Sequence, residues 1–213
     1  MALADPQFDS AADPHDADRS VVRVARVAVD GAVQADTAMV ADAVAECVEA
    51  AGRPVLRVSC EDFLRPRSVR LEHGGGDPDA GYERWVDHLA LRRVVLDPLG
   101  PEAEGEPTWL PTFWDPQTDR STREKVRVAV PGSVLIVTGP FLLRWETADA
   151  FDLSVHLQVS DAALARRLPE ADRTRVTGAW HRYVDETWPA QRADLVVRFD
   201  RPSHPALVLD DGT

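Results

Sequence analysis

The segment Val134-Leu135-Ile136-Val137-Thr138-Gly139 is apolar at nearly every position. A short run that is apolar on both faces must be covered on both faces, which places it inside a parallel sheet with helices on either side. Two further β-rich runs fit the same sheet: Val22, Val24, Val27 and Val29 leading to Asp30-Gly31, and Pro54-Val55-Leu56-Arg57-Val58-Ser59. Between them Ala38 to Ala51 has helical spacing, with Met39, Val40, Ala43, Val44, Cys47 and Val48 as the apolar stripe and Gly52 as the stop. Strand, turn, helix, strand is the opening of an α/β fold.

The remaining elements are shorter. Arg65 to Ala80 holds three consecutive glycines and reads as a loop, Tyr82 to Leu96 as a helix, and Gly100 to Pro107 as a second loop. Trp109 to Trp114 and Lys125 to Val130 read as short strands, Leu153 to Val159 as a further buried strand, and Leu195 to Phe199 as the last one. A helix starts at Asp161 with that residue as its N-cap, and a longer one spans Arg173 to Arg192. With 213 residues and 44% hydrophobic content, one domain with its own core is expected over 21–213. Residues 1–20 are rich in Ala, Asp and Pro and read as a mobile acidic tail.

The formal net charge is −12, which disfavours nucleic acid and anionic membranes as partners. No basic-then-apolar leader and no membrane-length apolar run is present, so a cytoplasmic setting is expected. Cys47 and Cys60 lack CxxC spacing and read as buried small apolar side chains in a reducing compartment. His73, His88, His156, His181 and His204 form no pair with ligand spacing, and no metal is expected.

Four stretches in order resemble the uridine-kinase-like branch of the P-loop nucleoside kinases, especially the actinobacterial type. They are Val27 to Gly31, the segment Val58-Ser59-Cys60-Glu61-Asp62-Phe63-Leu64-Arg65-Pro66-Arg67, Val134 to Leu143, and Trp180 to Val197. The resemblance covers roughly residues 22–208. It implies a three-layer α/β P-loop kinase-like fold with a mainly parallel central sheet flanked by helices.

The phosphate machinery departs from that family. A phosphate loop reads G-x-x-x-x-G-K-[ST], in which Gly lets backbone amides close on phosphate, Lys bridges the β- and γ-phosphates, and the hydroxyl meets magnesium. Here Gly31 stays, while Asp36, Thr37 and Ala38 stand at the second Gly, the Lys and the hydroxyl position. Like charges about 4 Å apart repel by roughly 4 kcal/mol at an effective dielectric near 20, so Asp36 opposes a triphosphate. The strand that in the family ends in Asp-Gly ends here in Thr138-Gly139, and the arginine-rich lid is reduced to Arg166 to Arg173, broken by Pro169. No ATP or other cofactor is therefore expected.

The resemblance places the acceptor-site carboxylate at Glu61, with Asp62 beside it; both equally suit a strand-end cap. On an extended segment only one of the two would face the pocket, and Glu61 is the expected proton carrier, its pKa raised by burial. Arg65, Arg67 and Arg70 read either as a solvated basic surface or as an anion clamp. Tyr82, Trp114, Arg182 and Tyr183 complete the expected substrate-binding set, Tyr82 and Trp114 as apolar wall, with core packing as the alternative. His156 alternates with Ser154 and Gln158 on one strand face, either lining a polar cavity or satisfied in the core. The function expected is an ATP-independent acid/base enzyme acting on an organic small molecule, in specialised metabolism. A non-catalytic pseudokinase binding a metabolite or partner protein, and an atypical small-molecule kinase, are the alternatives. A homodimer stays open.

Overall fold

A computed structural model describes residues 24–209. The acidic tail expected over 1–20 lies outside the described residues. In chain order the elements are β1 (Ala25–Gly31), α1 (Thr37–Ala50), β2 (Val55–Ser59), α2 (Arg67–Arg70), α3 (Pro78–Glu83), α4 (His88–Leu91), β3 (Thr108–Trp109) and β4 (Trp114–Asp115). They continue with β5 (Arg120–Ser121), β6 (Arg127–Val128), β7 (Val134–Gly139), β8 (Leu153–Gln158), α5 (Asp161–Arg167), α6 (Glu170–Thr187), α7 (Pro189–Arg192), β9 (Leu195–Arg198) and β10 (Ala206–Val208).

The central sheet has the order β10-β9-β8-β1-β7-β2, with β10 alone antiparallel to its neighbour. β7, buried at all six residues, lies between β1 and β2, as its two-sided apolarity requires. On one face Val27, Val29, Ile136, Val155 and Leu157 pack with Ala41 and Ala45 of α1, in a cluster that runs into Tyr82, Phe141, Trp180 and Tyr183. On the other, Ala28, Val58, Leu135 and Val137 meet Phe63, Leu91, Val95, Leu96 and Leu142. The sheet is thus buried between two layers, and the carboxyl ends of β1, β2, β7 and β8 open on one edge, where folds of this kind gather ligands.

Several local expectations are corrected. The cap of α5 is Ser160, whose hydroxyl accepts from the amide of Ala163, while Asp161 sits in the first turn. Cys47 is exposed, because α1 buries the Ala41–Ala45 side and turns Met39, Ala43 and Cys47 outward; Cys60 is buried as expected. The Arg65–Ala80 loop contains α2 and the start of α3. The single helix expected over Tyr82–Leu96 is two short helices and a wider turn over Arg92–Leu96. The late helix divides at Trp188, which takes a left-handed backbone (φ 55°) because the following Pro189 disfavours continued right-handed helix. β10 was not anticipated; its Leu207 is half exposed and lacks the buried pattern of a core strand. Among the described residues no helix is long and apolar enough to cross a membrane.

Candidate functional site

At the end of β1, Gly31 leads into a tight loop. The Ala35 amide donates to the Ala32 carbonyl at 2.8 Å, and Asp36 adopts a left-handed backbone (φ 54°) as it enters α1. The Asp36 side chain caps nothing; its nearest cation is Arg167 at 4.0 Å. The Thr37 methyl lies 2.9 Å from where a Cβ on Gly31 would sit, so the side chain in the lysine position folds back onto the loop. Thr138 is also turned away from the edge, its hydroxyl donating to the Val58 carbonyl across the strands at 3.5 Å.

After β2 the chain winds into one 3₁₀ turn, Cys60–Phe63, capped by the Ser59 hydroxyl at 3.2 Å from the Glu61 amide. Alternation therefore does not decide between the two carboxylates. Glu61 is exposed and Asp62 is half-buried. Burial raises the Asp62 carboxyl above its usual range, the Ser59 hydrogen bond opposes this, and the charge of Glu61 adds to it. No guanidinium is among the groups that shift it. The buried Cys60 thiol is pushed up by burial first, then by the charges of Asp30, Glu61 and Asp62.

The arginines gather around two residues that sequence reasoning had not put at their centre. Asp119 Oδ1 accepts from the Arg67 amide at 2.9 Å and from Trp114 Nε1 at 3.1 Å, and lies 3.7 Å from the Arg70 guanidinium. The Arg67 amide bond leads in holding the Asp119 carboxyl below its usual range. Trp85 carries guanidinium groups against its ring, Arg175 at 3.6 Å and Arg70 at 5.2 Å from its centroid, while its carbonyl accepts from the Arg65 amide. Among the described residues the Arg65 guanidinium pairs with Asp87 alone, at 3.6 Å. Burial lowers the Arg70 pKa against the pull of Asp119, with Arg67 and Arg175 adding to the drop. The Nε atoms of Arg65, Arg173 and Arg175 are buried without a hydrogen-bond partner among the described residues, while Arg175 Nη2 donates to Asp172 at 2.6 Å. Arg175 carried no signal in sequence beyond its place in a helix, and its role follows from α3 docking on α6. That docking is tight: a Cβ on Gly178 would stand 2.6 Å from Pro78 Cβ. The space left between Trp85, Phe141, Arg175 and Trp180 is about 10 Å³.

Two expected residues lie elsewhere. Arg182 is held by Asp79 at 2.9 Å and by Glu83 and Glu186 at 2.7 Å each, and Glu186 first, then Glu83, drive its pKa upward. Tyr183 is fully buried and donates to Asp30 Oδ2 at 2.9 Å; burial and then the charge of Asp30 push its pKa well up. Tyr82 is buried with its ring under Arg144 (4.1 Å) and Arg182 (4.8 Å). Arg144 forms a buried double hydrogen bond with Glu146 at 3.0 and 2.6 Å, a pair that sequence spacing did not single out.

No protein-family model matches the chain, and no curated protein matches it by sequence. Solved structures do match. A possible uridine kinase from Bacillus stearothermophilus superposes with a TM-score of 0.67 at 20% identity, over 82% of this chain and 88% of that one. A D-glycerate 3-kinase from Cryptococcus neoformans gives 0.57 at 11% identity, over 87% and 90%. The phosphoribulokinase of Rhodobacter spheroides gives 0.54 at 15% identity, over 83% and 70%. These likenesses establish the fold of the chain as that of the uridine-kinase-like P-loop kinases.

Proposed function

We propose that this chain uses the uridine-kinase-like scaffold without ATP and magnesium, as an acid/base enzyme that binds an anionic organic small molecule in the crevice after β2. The observation that carries the reading is that the Nε atoms of Arg65 and Arg175 are buried without a partner among the described residues, although Asp87 and Asp172 lie at the other nitrogens of the two guanidinium groups. A buried donor without a partner costs free energy, and a charged one costs more, so a ligand oxygen is the expected complement. Arg70 and the face of Trp85 complete the clamp. Asp62 is the proton carrier, because a half-buried carboxyl with a raised pKa holds its proton closer to neutral pH than an exposed one. Glu61 and Arg67 form the rim, and Trp114 supplies wall.

The phosphate loop does not fit a nucleoside triphosphate. Thr37 covers the floor that phosphate needs, Asp36 brings a negative charge to the helix start, and no lysine stands in the loop.

The test is calorimetry and thermal shift on the full chain with inorganic phosphate, acetate, succinate, citrate and ATP with magnesium. An organic anion is expected to stabilise the protein, and Arg175→Ala to weaken that anion by roughly tenfold or more, the 1.5–3 kcal/mol of a charged hydrogen bond. ATP with magnesium is expected to bind no better than inorganic phosphate. Micromolar ATP binding would overturn the reading in favour of an atypical kinase.

A further inference from the structure

The other flank of the strand-end edge is built differently. Asp30, fully buried at the end of β1, receives three donors: the Leu142 amide at 3.0 Å on Oδ1, and Tyr183 hydroxyl (2.9 Å) and His156 Nδ1 (2.7 Å) on Oδ2. A carboxylate only accepts, so Nδ1 carries a hydrogen, and in the neutral ring Nε2 then keeps its lone pair. The register of β1 on β8 sets this pair directly side by side, Asp30 opposite His156. The imidazole is also stacked on Trp180, 5.8 Å between ring centres and 6° from parallel. Its side chain is 3% exposed, fixed in position, and Nε2 has no partner among the described residues.

That ring borders a pocket of about 550 Å³ between the end of β8, α6 and α7. Its polar lining is made of Gln158, Ser160, Asp161, His181, Asp185 and Gln191, with no arginine or lysine. His181 Nε2 is already taken by Asp161 at 2.8 Å, whereas Asp185 forms no ion pair among the described residues. A cavity that offers an oriented lone pair and carboxylates, in a chain of net charge −12, selects ligands that donate and are positive.

We propose that this pocket is a second ligand site, taking a small organic molecule with a protonated amine, and that His156 Nε2 accepts a hydrogen bond from it while Asp185 supplies the counter-charge. Asp30 and Tyr183 are positioning residues: they fix the tautomer and do not touch the ligand. The site shares no ligand-facing residue with the arginine clamp, so either can fail alone.

The experiment is a titration of ¹⁵N-labelled full chain at neutral pH with benzylamine, benzyl alcohol and benzoate, which share a ring and differ in charge. Benzylamine at millimolar concentration is expected to move the His156 Nε2 resonance, with benzyl alcohol weaker and benzoate without effect. Asp185 is exposed, and Asp185→Asn should leave the fold intact while weakening benzylamine about tenfold, the lower end of what one charged hydrogen bond supplies. Benzoate binding as well as benzylamine, an amine that shifts other resonances but not His156, or a free-state spectrum with a hydrogen on Nε2 would each overturn the proposal.

Discussion

His88 and His156 stand at the two ends of one run of rings, His88–Phe141–Trp180–His156, with centroid separations of 6.4, 6.1 and 5.8 Å. Both are almost fully buried. His88 Nε2 meets the Pro140 carbonyl at 3.2 Å, and burial, then the nearby Arg144, lower its pKa to about 4. His156 is instead held by a carboxylate and faces an open pocket. The flank of His88 belongs to the arginine-rich crevice, and the flank of His156 to the acidic pocket. The same side chain in the same fold therefore does two jobs: neutral filler on one side, oriented acceptor on the other. Asp30 is the joint between them, since one of its oxygens holds the Leu142 amide beside the first flank and the other holds the second.

The largest effect should come from removing that joint. Asp30→Ala leaves the Leu142 amide, Tyr183 hydroxyl and His156 imidazole without their common acceptor. Each buried donor left without a partner costs about 1–3 kcal/mol, so the three together cost at least about 3 kcal/mol. For a chain of this size that is a melting-temperature drop of roughly 6 °C or more, measured by calorimetry. A variant as stable as the parent would mean that the two flanks are not tied through Asp30.

A second experiment separates the histidines by pH. The His88 pKa is depressed in the folded state, so the unfolded chain binds a proton first as pH falls. Its stabilising contribution is complete above about 6.5 and is lost as pH falls toward about 4. At 1.36 kcal/mol per unit the loss reaches about 3 kcal/mol. His88→Gln should be less stable at neutral pH and should lose this acid sensitivity, read from urea midpoints at several pH values. If the sensitivity remains in His88→Gln, it belongs to another group.

Much of the sheet was legible in the sequence because burial on two faces leaves a continuous apolar run, as in β7, and because α1 is stopped where Gly52 stands. The break in the chain after β2, at the carboxyl edge of the sheet, was also legible. Its internal assignment was not: the choice of Glu61 rested on extended backbone, and the 3₁₀ turn after Ser59 turned Glu61 outward and left Asp62 half-buried. Arg175 and Asp119 come from elements remote in sequence, 110 residues and 54 residues along from Arg65 respectively, and only tertiary packing brings them to Trp85 and Arg70. Tyr183 and Arg182 are sequence neighbours that α6 turns in different directions, one into the Asp30 network and one into a set of surface carboxylates. His156 was readable as one of two things, core or cavity lining; pairing with Asp30 makes it both.

The smallest expected effect concerns Asp62, and it sharpens the contrast between the arginine-rich flank and the acidic one. Its folded pKa is raised, mainly by burial. Folding then favours the protonated carboxyl: the stabilising contribution is complete below the ordinary value of 3.8 and is lost as pH rises through the folded pKa. Asp62→Asn mimics the protonated form and carries no charge at any pH. It should therefore match the parent at acid pH and be slightly more stable at neutral pH, with the crossover read from paired urea midpoints across the acid range. The sign matters more than the size. If Asp62 were instead paired with Arg65 or Arg70, the substitution would remove a favourable charge contact and neutral pH would be where the variant lost stability. A gain in stability at neutral pH together with loss of any turnover would fit a carboxyl kept apart from the arginines for proton transfer, since sites that hold a group against its preferred charge state give up stability to do so.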